Sequence, residues 1–277
     1  MKRIIVYVLI AVLALAPGMI LNAAAETVWE DIPCGEYIYR KQDDNTAVIV
    51  GYTGNERELT IPAEMDGLPV TVVGGAFMGN RTLISVTMPD SVTSMWTGAF
   101  CGCSRMQSIK LSENLTCIKE RTFLGCGNLL SVTIPGSVTE IGNKAFYGCK
   151  KMESAVILSG PAGIGAEAFT NCFSLTDVTI GEGVSTIGDS AFSSCTKLVD
   201  IVLPASVTTI GASAFFGCNS LRTVTVPGSV TQIGETAFGY RDHIWKLIVD
   251  RGSVAEQYCK ENEIRYTYPG ADSWLTE

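Results

Sequence analysis

Ser131-Val132-Thr133-Ile134-Pro135-Gly136-Ser137-Val138-Thr139-Glu140-Ile141-Gly142-Asn143-Lys144-Ala145-Phe146-Tyr147-Gly148-Cys149 holds the pattern on which the chain is built. Ser131 to Ile134 alternates polar with apolar, the period-2 mark of a strand buried on one side. Pro135 ends it, because proline has no N–H to give to a ladder. Ser137 to Ile141 is a second, shorter extended stretch, and Ala145 to Cys149 reads as a tight helical turn. Moving outward from Phe146, the same slot is filled at Phe77, Phe100, Phe123, Phe169, Phe192, Phe215 and Phe238, always 23 residues apart. Five residues before each Phe stands an apolar residue, from Val72 and Met95 to Ile233. Glycine follows it in the later units, from Gly142 to Gly234. Three residues after Phe comes cysteine in six consecutive units: Cys103, Cys126, Cys149, Cys172, Cys195 and Cys218.

A unit this small cannot bury its own apolar face. Stacking like units turns each slot into a continuous ladder. The expected fold is a repeat solenoid, mainly β with short helical turns: a right-handed stack of about eight 23-residue units with caps at both ends. With strand neighbours about 4.8 Å apart, such a stack is on the order of 35 Å long. The expected boundaries are a signal peptide at 1–25, an N-terminal β-hairpin cap at 26–58, the solenoid at 59–250 and a C-terminal helix/strand cap and tail at 251–277. The hairpin joins Tyr37-Ile38-Tyr39 to Ala47–Val50 around Asp43-Asp44-Asn45. In the C-terminal cap, Ser253 is an N-cap signal for a short helix ending near Asn262, and Ile264 to Tyr268 reads as a closing strand.

Met1-Lys2-Arg3, the apolar run Ile4 to Ala16, the break at Pro17-Gly18 and the small residues Ala23-Ala24-Ala25 form the three-part pattern of an export signal. The apolar run is shorter than the roughly 20 residues a membrane span needs. Cleavage before Glu26 is therefore expected, with no membrane span afterwards, and the mature chain is placed outside the cell, released or held at its surface. Removing Lys2 and Arg3 takes the formal net charge from −8 to −10. That acidity repels phosphate backbones and argues against nucleic acid as a partner.

The recurring Ser-Val-Thr-Ile-Pro-x-Ser-Val-Thr-x-Ile-Gly-x-x-Ala-Phe-x-Gly-Cys-x-x-Leu resembles the BspA-like leucine-rich repeat, from Leu59 to about Asp250. The ends resemble that family's ends too, at Asp44–Gly54 and Gly252–Asn262. The resemblance implies a leucine-rich-repeat fold and a bacterial protein that is secreted or displayed at the surface. Some members of the family are linked to adhesion and host-protein binding. The pattern is departed from twice. Leu158 replaces the proline and Pro161-Ala162-Gly163 replaces Val-Thr-x, which predicts a local kink or altered loop.

The six ladder cysteines read as buried small apolar thiols. Parallel side chains on adjacent coils rarely reach disulfide geometry. Cys34, Cys101, Cys117 and Cys259 lie outside the ladder and are expected to be exposed or paired, with connectivity the sequence does not give. No metal, cofactor or catalytic centre is expected. Cys101-Gly102-Cys103 lacks zinc-ligand spacing, and His243 is the only histidine. Gly163-Ile164-Gly165-Ala166-Glu167-Ala168 matches a dinucleotide fingerprint, but Ile164, Gly165 and Ala168 are repeat slots outside any strand–helix–strand unit. Paired acids such as Asp43 and Asp44 fall in turns.

What remains for function is the surface. Outward strand positions run Ser85/Thr87, Ser108/Lys110, Ser131/Thr133, Ser154/Val156, Asp177/Thr179, Asp200/Val202 and Thr223/Thr225. Stacked, they form a long shallow face of hydroxyls with two acidic spots. Solenoids bind along such extended surfaces. Ser131, Thr133, Asp177, Thr179, Asp200, Thr223 and Thr225 are the candidate contacts. Trp96 joins them because it fills the slot where later units carry glycine. The expected ligand is a host or extracellular-matrix protein, or a glycan. The rival expectation is a structural spacer with no dedicated ligand.

Overall fold

The computed structural model describes residues 29–239 and 246–271. The signal-peptide reading, His243 and the tail 272–277 lie outside the described residues. The chain forms a β-solenoid of about nine turns of ~23 residues with almost no helix. Each turn carries a longer strand and a shorter one. The longer strands are Glu58–Thr60, Ser85–Thr87, Ser108–Lys110, Ser131–Ile134, Ser154–Ile157, Asp177–Ile180, Asp200–Val202, Thr223–Val226 and Lys246–Val249. The last of these raises the expected eight units to nine turns, because a ninth longer strand follows the turn that carries Phe238. The shorter strands from Cys117–Ile118 to Gln232–Ile233 have two residues each and form one continuous six-stranded sheet.

Pairing between coils is parallel and in register. Ser131 lies opposite Ser154 and Ser154 opposite Asp177, while Val132, Ala155 and Val178 line up beneath them. A slip of one residue would turn that apolar set outward, so the alternation in the sequence fixes the register. The altered unit keeps it. Ser154–Ile157 pairs fully on both sides, and the Ala162 N–H donates to the Thr139 carbonyl at 2.9 Å. The expected kink is therefore confined to the turn. The Val138 N–H closes that turn onto the Pro135 carbonyl at 3.1 Å in the preceding coil, and its counterpart Pro161 has no N–H to do so.

The third side of each coil is the Ala-Phe turn, and it is also hydrogen-bonded from coil to coil. Lys144, Phe146 and Gly148 donate their N–H groups to the carbonyls of Ala166, Ala168 and Thr170 at 2.9, 2.8 and 2.9 Å. Two residues of this turn are left-handed: Lys144 has φ 57° and Gly148 has φ 73°. Glycine two residues after Phe accepts that conformation without steric cost.

Inside, the eight phenylalanine rings form a single stack. Consecutive centroids are 5.0–5.7 Å apart and the planes diverge by 1–13°. This is the offset-parallel geometry that aromatic quadrupoles favour. Tyr52 closes one end of the stack at 5.3 Å from Phe77, and Tyr258 closes the other edge-on at 5.8 Å from Phe238.

Beside the rings, each ladder cysteine donates its Sγ–H to the carbonyl of a Phe in the coil before. Cys103 reaches Phe77 at 3.0 Å and Cys218 reaches Phe192 at 3.1 Å. Burial pushes the Cys149 and Cys195 thiols well up, and Cys172 to about 12, which keeps them protonated and donating. All ten thiols are free. Cys259, expected to be exposed or paired, is instead fully buried on the inner face of the C-terminal helix Val254–Glu261, where burial raises its thiol to about 12, because that helix packs its apolar side on the last coil. Cys34, Cys101 and Cys117 are partly exposed.

The ends are capped differently. Tyr37–Lys41 pairs antiparallel with Ala47–Tyr52, which lies parallel to Leu68–Val73 and so covers the first coil. The first unit is longer than the others, since Glu58 pairs with Ser85, and within it Glu64–Met65 folds back on Leu68–Pro69, with the Tyr39 hydroxyl donating to Asp66 at the tip at 2.9 Å. At the other end the helix Val254–Glu261 starts at Ser253, whose Oγ accepts the Glu256 N–H. The Glu256 carboxylate takes Lys260 at 2.7 Å, the Gly252 N–H at 2.6 Å and the Tyr268 hydroxyl at 3.0 Å. Lys260, then the Gly252 N–H, hold that carboxyl down at about 2.

Truncating a mid-stack ring, Phe169→Ala, is expected to cost roughly 3–5 kcal/mol in chemical denaturation, because the two neighbouring rings cannot close the gap. Brief alkylation of the native protein is expected to label Cys34, Cys101 and Cys117 and spare the six ladder thiols and Cys259, as read by peptide mass spectrometry. Because the Glu256 pKa is depressed, its stabilisation is complete above the ordinary carboxyl value of 4.5 and is lost as pH falls from there toward about 2. Hydrogen exchange in the C-terminal helix should therefore accelerate over that window, and Glu256→Gln should flatten the dependence.

Candidate interaction surface

The register sets the outward residues of the longer strands in two rows. One passes through Ser131, Ser154 and Asp177, and further on through Asp200, Thr223 and Lys246. The other passes through Thr133, Val156 and Thr179, then Val202, Thr225 and Ile248. Ser131, Thr133, Asp177, Thr179 and Asp200 are exposed, whereas Thr223 and Thr225 are half-buried.

Hydroxyls elsewhere on the coil have a structural task. Thr116 donates to the Thr93 carbonyl, Thr139 to Thr116, Ser185 to Ala162, and Thr208 to Ser185, at 2.7–3.1 Å. These bonds staple each coil to the one before. Among the described residues, the side chains of Ser131, Thr133, Thr179, Thr223 and Thr225 make no such bond. Asp177 accepts only the neighbouring Thr176 hydroxyl, at 2.9 Å. The hydroxyls of Ser131, Thr133, Thr179, Thr223 and Thr225 are thus uncommitted where the staple hydroxyls are not, while at the N-terminal end of the face Ser108 donates to the Ser85 hydroxyl of the coil before at 3.1 Å.

The face is also uneven. Its ladder is interrupted after Ser108–Lys110 and again after Asp177–Ile180, giving sheets of three, three and four strands. At the first interruption lies a recess of about 200 Å³, lined by Ser108, Lys110, Ser131, Thr133 and Leu158 among others. Leu158, the residue that replaced proline, is 42% exposed there. Beyond the second interruption Val202 is 66% exposed.

Trp96 belongs to a different sheet. It follows the shorter strand Ser94–Met95, its N–H donates to Val73 at 2.9 Å, and its ring packs over Gly74. It remains 40% exposed. The structure therefore brings the seven strand-face candidates together and sets Trp96 apart.

The glycine slot explains a feature the sequence reading missed. At Gly142, Gly165, Gly188, Gly211 and Gly234 an added Cβ would stand 2.3–2.7 Å from atoms of the preceding coil, so glycine lets the coils close up. Trp96 and Lys119 occupy that slot earlier. A recess of about 300 Å³ opens beside them, lined by Thr97, Cys117, Lys119, Glu120, Glu140 and Asn143. The onset of the glycine series at Gly142 was its signal. A larger recess, about 670 Å³, lies at the C-terminal end of the face between Arg222, Thr223, Lys246, Ile264, Arg265 and Tyr266. It was missed because Arg265 and Tyr266 lie outside the repeat.

Gly163-Ile164 forms one of the two-residue strands, and Ala168 is a core residue of the turn, as their repeat slots require. Among the described residues no group of three or more His, Cys, Asp or Glu side chains is arranged to hold a metal ion. Among them, too, no helix is long and apolar enough to cross a membrane.

The family model of the BspA type leucine rich repeat region matches residues 70–198 and 118–244, in six copies. A leucine-rich-repeat protein of Treponema pallidum is similar in structure, with 23% identity and a TM-score of 0.56 over 86% of this chain and 98% of that one. A leucine-rich-repeat protein from Bacteroides capillosus shares 31% identity over 46% of this chain and 97% of its own, with a TM-score of 0.40. A leucine-rich cell surface protein from Faecalibacterium prausnitzii shares 21% identity over 83% of this chain and 97% of its own, with a TM-score of 0.33. The comparison with curated proteins finds no match.

Proposed function

Because the chain belongs to the BspA-type leucine-rich-repeat family, we propose that it is a non-catalytic interaction protein working outside the cell, released or held at its surface. It binds a host or matrix protein, in the manner of an adhesin, along the longer-strand face. The observation that carries this reading is the contrast between hydroxyls. Those on the staple positions are bonded from coil to coil, while Ser131, Thr133 and Thr179 stand exposed in register with no partner among the described residues. Parallel rows of donors and acceptors at a spacing of about 4.8 Å suit many weak contacts with an extended partner. The two interruptions give that face local relief, with exposed Leu158 and Val202 as apolar points between polar ones.

A spacer role is the competing reading, and the coil-to-coil staples favour it, since they serve rigidity alone. A binding screen against matrix proteins and a glycan array separates the two. In the interaction reading, wild type binds a protein saturably, and the triple variant Thr133→Arg, Asp177→Arg, Asp200→Arg weakens binding at least tenfold, about 1.4 kcal/mol, with an unchanged melting temperature. Loss on Trp96→Ala with the triple variant unaffected would move the site to the shorter-strand side. Absence of saturable binding by wild type would favour the spacer.

A further inference from the structure

The recess at the C-terminal end of the face has a charge opposite to that of the molecule. The chain carries 28 acidic and 20 basic residues, yet Arg222, Lys246 and Arg265 converge on this recess and no acid lines it among the described residues. Backbone pairing fixes their spacing. The Lys246 N–H donates to the Arg222 carbonyl at 3.1 Å, and the adjacent Leu247 N–H donates to the Arg265 carbonyl at 2.9 Å. Thr223 lies opposite Lys246 and Tyr266 opposite Leu247, so Arg222 and Arg265 each stand just before a strand that flanks Lys246–Val249. Among the described residues no carboxylate pairs with the Arg222 or Arg265 side chain, and both residues are exposed. Buried Ile264 and the half-buried ring of Tyr266 supply an apolar floor.

We propose that this recess receives an acidic peptide segment of the protein partner. Its carboxylates pair with Arg222 and Arg265, and an apolar side chain between them lies on Ile264 and Tyr266. Guanidinium groups match carboxylates in bidentate fashion, which favours arginine for this task. A peptide suits the site better than an acidic glycan for a second reason. Among the described residues the strand Tyr266–Thr267 is paired on one side alone, with Lys246–Val249. Its other edge offers backbone groups that an extended peptide can pair with and a sugar chain cannot.

The inference rests on the protein-binding reading above but is tested apart from it. The full mature chain is titrated, by fluorescence anisotropy, with a labelled Asp-Glu-Leu-Asp-Glu peptide and with its uncharged counterpart Asn-Gln-Leu-Asn-Gln. A heparin-derived oligosaccharide serves as the glycan probe. The acidic peptide is expected to bind at least tenfold tighter than its amide counterpart and to weaken as salt is raised. The double variant Arg222→Gln, Arg265→Gln should erase that preference with melting unchanged, while Lys110→Gln, on the same face but far away, should keep it. If the double variant fails to fold, the single variant Arg222→Gln must still reduce the preference severalfold. Equal binding of the two peptides, a preference untouched by the arginine variants, or binding of the oligosaccharide without the peptide would overturn the proposal. Partner binding lost in the Asp177 and Asp200 variants but retained in the arginine variants would remove this inference and leave the protein-binding reading standing.

Discussion

One ring must lie over the next. The eight-membered phenylalanine stack, with centroids 5.0–5.7 Å apart, sets the distance between coils, and every other contact has to fit inside it. A coil spacing near the strand separation of about 4.8 Å leaves no room for a Cβ where the chain doubles back at Gly142 or Gly188. It leaves room beside the rings only for a small side chain that can bond the neighbouring carbonyl, and the thiol of Cys126 does so to Phe100 at 3.1 Å. Ring, glycine and thiol are three answers to one constraint. The unpaired ends of the stack are met by Tyr52 and Tyr258, which continue the aromatic column while turning out of its plane.

Dependence on nearest neighbours also decides where the surface can vary. A residue whose side chain or backbone staples adjacent coils is held by the repeat. A residue whose side chain leaves the coil is held by nothing inside the molecule, so differences collect there: Lys110 for Thr133, Val156 for Thr179, Asp177 for Ser154. The same freedom admitted Leu158 and Pro161 without disturbing the strands on either side.

The solenoid was legible because a buried slot tolerates few residue types and because the period never drifts between Phe77 and Phe238. The helix start at Ser253 was legible for the same kind of reason, since an N-cap serine with glutamate three residues on carries its own geometry. Less could be read where distant segments meet. Nothing in the local sequence around Cys259 shows the last coil that covers it. The recess at Arg222 needs Arg265, which reaches it only through the closing strand Tyr266–Thr267. The rows of Ser and Thr were predicted as rows. Which hydroxyls serve the fold and which stand free required the coil-to-coil bonds, because Thr139 and Thr133 look alike in sequence and differ only in what lies beside them.

Every ladder in the stack, of rings, thiols, strands and turn amides, crosses a single boundary between coils. The surface that Phe146 presents to Phe169 is nearly the surface that Phe169 presents to Phe192. Removing one whole period from the middle would bring together two faces already shaped for one another. Duplicating one would do the same. Neither end would sense the change, since within the phenylalanine stack Tyr52 meets Phe77 and Tyr258 meets Phe238, the terminal rings. The reach of such a molecule is therefore a heritable quantity that can lengthen or shorten by recombination between repeats.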